Sequence, residues 1–135
     1  MGGLSALIYS LRSSHRISAC IANCPVCDLV SHYSERPDLP RTMYSAFYHY
    51  SGNMETALKS NSPLHLVNEM PDIPYYIFHC DRDSMVSIDV HSEPFVEAML
   101  ARGKNVTYER ILNRDHCALT PEAWEKWKKY ISDNI

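Results

Sequence analysis

Apolar residues fall at Leu4, Leu7, Ile8 and Leu11, the i, i+3, i+4, i+7 stripe that predicts a helix over residues 3–11. A short apolar run at 17–23 follows and suits a buried strand. Residues 28–67 are polar and aromatic, interrupted by Pro37, Pro40 and Pro63. Within them, 43–50 and 54–59 predict short helices, and Asn61-Ser62-Pro63 a break or cap. The run Pro74-Tyr75-Tyr76-Ile77-Phe78-His79 reads as a strand buried on both faces. A helix over 90–102 stops at Gly103, and residues 106–112 alternate like a strand. Thr120-Pro121 opens a last helix, with Ala123, Trp124, Trp127 and Ile131 on one face. Strands separated by helices predict an α/β fold of parallel βαβ units, with chemistry beyond the carboxyl ends of the strands.

A length of 135 residues suits one domain. The net charge of -3 argues against a nucleic-acid partner. The apolar runs are far shorter than the roughly 20 residues of a membrane helix, and no basic segment precedes one at the start. Neither a membrane partner nor a signal peptide is expected. Five cysteines make an odd count, which fits reduced thiols in a cytoplasmic setting better than a disulfide scaffold. Cys24-Pro25-Val26-Cys27 has the spacing of a redox or zinc site, but no second pair follows. Structural or incidental cysteines are the expectation, with no cofactor and no metal.

The chemistry-bearing residues follow two predicted strands. Cys80-Asp81-Arg82-Asp83 comes after the strand at 74–79, and Asn113-Arg114-Asp115-His116-Cys117 after the one at 106–112. Asp83 and His116, 33 positions apart, can meet at the rim of a parallel sheet. Acid before histidine is the chain order of the α/β-hydrolase triad. The plainer reading is a helix-capping Asp83 and a solvated His116; the two residues together, each after a strand, favour the pair. Asp81 is a fallback acid in the same loop. Asp115 adjoins the histidine, and adjacent side chains usually point apart. Ser5 lies inside the first helix and lacks the closing glycine of a nucleophile motif. Cys117 is disfavoured as a nucleophile because neighbours in sequence rarely form a hydrogen-bonded pair.

Met1-Gly2-Gly3 runs straight into a helix and looks like the tail of a nucleophile elbow, G-x-S-M-G-G, cut after its serine. Ser62-Pro63, the H-x-x-x-D spacing of His79 and Asp83, Val86, and Arg102-Gly103-Lys104 resemble the catalytic domain of the prolyl oligopeptidase family of α/β hydrolases. In that family the pattern reads S-P, H-G-x-x-D-x-x-V-P, A-x-G, then G-H-G. The sequence departs from it at Cys80, at Ser87, and at Asp115 and Cys117 around His116. Esterase and peptidase therefore both stay open. The resemblance implies the C-terminal half of an α/β-hydrolase domain, with about three parallel strands flanked by helices and the N-terminal half of the sheet missing. It implies a lid-like helical insertion at about 28–67, to which the aromatics Tyr44, Phe47, Tyr48 and Tyr50 would contribute packing. It implies a serine hydrolase acting on a small-molecule ester or peptide, with Asp83 orienting and His116 as general base. The amide of Met1 would be an oxyanion-hole donor in the full-length protein, and this chain alone would be inactive. The alternative is a non-catalytic α/β interaction domain or a degenerate hydrolase. A strand at 17–23 without its partner, and without charge from Ser18 to Ala22, predicts a homodimer through the exposed edge.

Overall fold

The structure is a computed structural model that describes residues 1–50 and 52–135. Three parallel strands, β1 (Cys20–Asn23), β2 (Tyr75–Cys80) and β3 (Val106–Ile111), form one sheet in the order β1-β2-β3. The central strand is buried along its whole length, as its unbroken apolar run predicts. It sends Tyr75 and Ile77 to one face, into a core with Leu7, Ala22, Phe95 and Met99. Tyr76, Phe78 and Cys80 point to the other face, where Cys24, Ile111 and Ala123 complete a second core. Helices thus cover both faces of the sheet.

The first strand starts later than its apolar run suggests. Cys20 donates its N–H to the Pro74 carbonyl at 2.9 Å, and Pro74 has no N–H to return, so the ladder cannot extend back towards Ile17. Helix α1 (Gly2–Arg12) buries Leu4, Leu7 and Ser10. Helix α5 (Ser92–Ala101) begins two residues later than predicted, because Ser87 to His91 form a turn in which the Ser87 carbonyl accepts from Val90 and His91. It ends as expected at Gly103, whose φ of 68° is the left-handed conformation glycine adopts freely. Helix α6 (Pro121–Asp133) is capped by the Thr120 hydroxyl accepting from the Ala123 N–H at 3.1 Å. Its inward face is Ala123, Trp127 and Tyr130; the predicted Trp124 is exposed and instead meets Trp127 edge-on.

Between β1 and β2 run α2 (Leu29–His32), α3 (Leu39–Phe47), α4 (Met54–Lys59) and a 3-10 turn (Pro63–Glu69). Asp28 and Asn53 cap α2 and α4 through their side-chain oxygens. Leu29, Leu39, Met43 and Leu58 pack on Leu4, Val26 and Val86. Of the aromatics expected to pack here, Phe47 does; Tyr44, Tyr48 and Tyr50 are exposed. Glu35 fastens the segment to the turn after β2, since its carboxylate accepts from His32 Nδ1, from His91 Nε2 at 2.9 Å and from the Ser87 N–H at 3.4 Å. A proline at position 87 could not make the last of these bonds.

Gly3 marks the closest approach between α1 and the end of β1. A Cβ there would sit 2.8 Å from the Asn23 carbonyl oxygen and 2.8 Å from the Pro25 Cα, both backbone atoms with little freedom to move. At Gly2 nothing lies within 4 Å. Gly3→Ala should therefore cost about 1–3 kcal/mol, as overpacking does. Gly2→Ala should be neutral or stabilising by up to about 1 kcal/mol. Urea unfolding of both variants checks the contrast, and equal effects would refute the close-packing argument.

Candidate active site

The carboxyl ends of β2 and β3 are tied together by backbone and carboxylate. Asp81 donates its N–H to the Ile111 carbonyl and Arg82 to the Arg114 carbonyl, each at 3.0 Å. The Asp81 carboxylate accepts from the Asn113 N–H at 2.6 Å. Asp115 accepts from the Ser84 N–H at 2.9 Å, from the Ser84 hydroxyl and from the His116 N–H. Both carboxylates are thereby spent on holding the two loops in register, and neither reaches the His116 ring.

Asp83 does. Its Oδ2 lies 2.7 Å from His116 Nδ1, and its Oδ1 accepts from the N–H groups of Met85 and Val86 at 2.9 and 2.8 Å. The Asp83 side chain is fully buried, and His79 Nε2 stands 3.2 Å from Oδ2 on its inner side. Burial by itself would raise the Asp83 pKa, but the hydrogen bonds from His116, Val86 and Met85 outweigh it and hold the carboxyl below its ordinary value. An ionised carboxylate only accepts, so the proton of His116 sits on Nδ1 and the Nε2 lone pair is free to take one. His79 Nε2 also faces the Val86 carbonyl at 3.0 Å, another acceptor, so it carries a hydrogen there. Burial holds the His79 pKa below its ordinary value and the ring neutral, with Nδ1 buried and without a partner among the described residues. The four-residue spacing of His79 and Asp83 is thus explained: the histidine on β2 braces the acid that follows it.

His116 is partly exposed on a cleft of about 280 Å³ that it shares with Met1, Gly3, Cys117, Leu119 and Trp124. Met1 is the N-cap residue of α1 and is largely exposed. Ser5 is exposed on α1, consistent with a plain helix position.

The structure corrects the reading of Cys117. Its Sγ lies 3.4 Å from His116 Nε2, adjacent in sequence though they are. Cys117 adopts a left-handed φ of 56°, which turns its side chain back towards the ring, and Cys24 and Asn113 are left-handed too, at 44° and 58°. Such backbone costs about 1–3 kcal/mol per residue and gathers here around one histidine. The C-x-x-C spacing misdirects in the same way. Cys24 is held not with Cys27 but with Cys117, whose N–H donates to the Cys24 sulfur at 3.4 Å across 93 residues of chain. All five cysteines are free thiols.

The fold as a whole superposes on structures of peptidases and of an esterase. The chain matches an acylaminoacyl peptidase from Pyrococcus horikoshii with a TM-score of 0.75 and 13% identity, over 99% of this chain and 22% of that one. It matches a dipeptidyl-aminopeptidase-IV-like protein from Bacteroides ovatus with a TM-score of 0.76 and 19% identity, over 99% and 18%. The three strands and their flanking helices are a partial α/β fold of the kind these peptidases contain. Esterase PE8 matches with a TM-score of 0.64 and 15% identity, over 99% of this chain and 46% of the esterase. The partial sheet of three parallel strands flanked by helices agrees with the fold class expected from the sequence. The chain spans about a fifth of the length of the two peptidases. No protein-family model and no curated protein sequence matches the chain. No helix among the described residues is long and apolar enough to cross a membrane.

The depressed Asp83 pKa sets a pH dependence of stability. Because the folded-state value lies below the unfolded one, the contribution is complete above the unfolded value of about 4 and is lost as pH falls through the folded value. Wild type should exceed Asp83→Asn in unfolding free energy at pH 6, and the gap should shrink below about pH 4. Chemical denaturation across that range measures it; a gap independent of pH would refute the ionised, hydrogen-bonded acid.

Proposed function

We propose that residues 1–135 are the C-terminal half of a serine hydrolase domain that cleaves an ester or peptide bond in a small-molecule or peptide substrate. Asp83 orients the histidine and His116 Nε2 is the general base. The nucleophile is a serine outside this sequence, immediately before Met1 in the full-length protein, and the Met1 amide donates in the oxyanion hole. The observation that carries this reading is the buried Asp83 bonded to His116 Nδ1, beside a cleft shared with the N-terminus of α1. His116 takes the serine proton as the serine Oγ bonds the substrate carbonyl carbon, and Asp83 stabilises the imidazolium. The same proton passes to the departing alcohol or amine, and water then releases the acyl group with His116 again as base. Residues 28–67 form a lid-like insertion in this reading. Five free thiols, four of them buried, support a reducing, cytoplasmic setting.

A fluorophosphonate probe applied to the chain extended into its upstream reading frame should label one serine, next to Met1. Residues 1–135 alone should show no labelled serine. In the extended protein, His116→Ala or Asp83→Ala should lower kcat by about 10⁴-fold. Asp81→Ala should cost far less. Absence of labelling would favour the non-catalytic alternative, and a larger loss from Asp81→Ala would overturn the acid assignment.

We propose also that the isolated chain forms a homodimer through the outer edge of β1. Among the described residues that edge is unpaired, and it borders a hollow of about 400 Å³ whose apolar walls include Ile17, Ile21, Trp127 and Ile131. Sedimentation equilibrium at micromolar concentration should give a mass above that of one chain. A single species near 15.5 kDa would refute it.

A further inference from the structure

Three ligand atoms of the kind that hold soft cations converge beside the cleft. Cys24 Sγ, Cys117 Sγ and a ring nitrogen of His116 all lie within 4.8 Å of one another. The His116 nitrogen facing Cys117 is Nε2, at 3.4 Å from its sulfur. Zinc bonds of about 2.3 Å to sulfur and 2.0–2.1 Å to nitrogen span tetrahedral edges of roughly 3.6–3.8 Å. The observed spacing lies within an ångström or so of that figure, before any cation draws the atoms in. We infer that Cys24, His116 and Cys117 form a binding site for a thiophilic d¹⁰ cation, with Zn²⁺ the fitting probe.

Three features beyond proximity support the assignment. The first is the support behind the histidine. Asp83 accepts from His116 Nδ1 at 2.7 Å, giving the carboxylate–histidine–metal arrangement that fixes the ring and leaves Nε2 to bind. Asp83 is itself held by two backbone N–H groups and His79, so the support is rigid. The second is the backbone. Cys24 and Cys117 are two of the three non-glycine residues with left-handed φ among those described, and the Cys117 N–H donates to Cys24 Sγ, which ties the two loops together at the sulfur. The third is access. Cys24 is buried, whereas Cys117 is exposed and His116 partly so, and all three line the same cleft of about 280 Å³. That leaves the fourth coordination position open to water or a small ligand, the pattern of zinc sites with three protein ligands.

The cluster of His32, Glu35 and His91 lacks this character. Glu35 already accepts from His32, His91 and the Ser87 N–H, and His91 Nδ1 faces the N–H groups of Cys27 and Asp28. Its groups answer one another. At the cleft, by contrast, the His116 Nε2 lone pair has, among the described residues, only the Cys117 thiol against it. On binding, each thiol passes its proton to solvent as its sulfur bonds the cation, and the cation replaces the thiol hydrogen facing Nε2. The inference stands whether or not the chain belongs to a hydrolase. If it does, the cation occupies the base nitrogen and blocks proton transfer there.

Isothermal titration of the reduced 135-residue chain with Zn²⁺ should show one site with Kd at or below about 1 μM. The Co²⁺ complex should show thiolate charge-transfer absorption and the intense visible bands of tetrahedral cobalt. Cys117→Ala, at an exposed position, should weaken Zn²⁺ at least 100-fold and abolish the charge-transfer band in step with Cys24→Ser and His116→Ala. Cys27→Ser should leave both intact. Full affinity in Cys117→Ala would overturn the proposal, as would loss on Cys27→Ser with Cys117→Ala unaffected, which would move the site to the C-x-x-C pair. Absence of stoichiometric binding to the wild-type chain would overturn it as well.

Discussion

A carboxylate stripped of water must find its hydrogen bonds inside the protein, and at Asp83 that requirement organises the carboxyl end of the sheet. The acid collects the N–H groups of Met85 and Val86, the Nδ1–H of His116 and the close approach of His79. The first two donors fold the loop leaving β2 into a tight turn. The third binds that turn to the loop leaving β3. Remove the charge and the two loops lose their common centre, although Asp81 and Asp115 still stitch their flanks. Three acids, two in the loop after β2 and one in the loop after β3, thus do separate work, decided by where β2 and β3 leave each one relative to the opposite backbone.

The bracing continues inward and then sideways. His79 links Asp83 to the Val86 carbonyl, Val86 packs on Leu29, Leu39 and Met43, and the next residue, Ser87, donates to Glu35. Glu35 in turn joins His32 of α2 to His91 at the start of α5. Burial is the largest influence on His32 and holds its pKa down, favouring the neutral ring that donates to Glu35. A polar chain therefore runs from the helical segment between β1 and β2 to the acid of the candidate site. Changes in that segment can reach Asp83 through packing and hydrogen bonds without touching the cleft.

Much of this was legible in the sequence, and for definite reasons. The run Tyr75 to His79 had the length and composition of a strand buried on both faces, and the helix signals at Gly103 and Thr120-Pro121 are local rules that tertiary context rarely overrides. Asp83 and His116 stood out because parallel strands put their trailing loops side by side. What escaped depended on backbone conformation or on long-range pairing. Nothing in the neighbours of Cys117 announces a left-handed φ, and without that turn its sulfur would point away from His116. The 93-residue separation of Cys24 and Cys117 carries no spacing signal, while the nearby Cys27 offered a false one. The start of β1 was misread because the limit comes from Pro74, on the opposite strand.

The departures from the hydrolase pattern acquire a physical meaning together rather than singly. Position 87 carries a serine whose N–H is used by Glu35, a bond no proline could make. Position 80 carries a cysteine that shares the small core beneath α6 with Cys24, and position 117 a cysteine whose sulfur faces the histidine. Both stand where the resembling pattern has glycine, and of the two only the thiol at 117 faces the ring of His116. A glycine at 117 would adopt the left-handed backbone at no steric cost; a cysteine there bears strain of about 1–3 kcal/mol. Strain retained at an exposed residue, with no burial of its own to offset it, points to the side chain rather than the turn as what the position needs. That side chain faces His116 Nε2, the nitrogen to which both the proposed proton transfer and the proposed cation site assign a role.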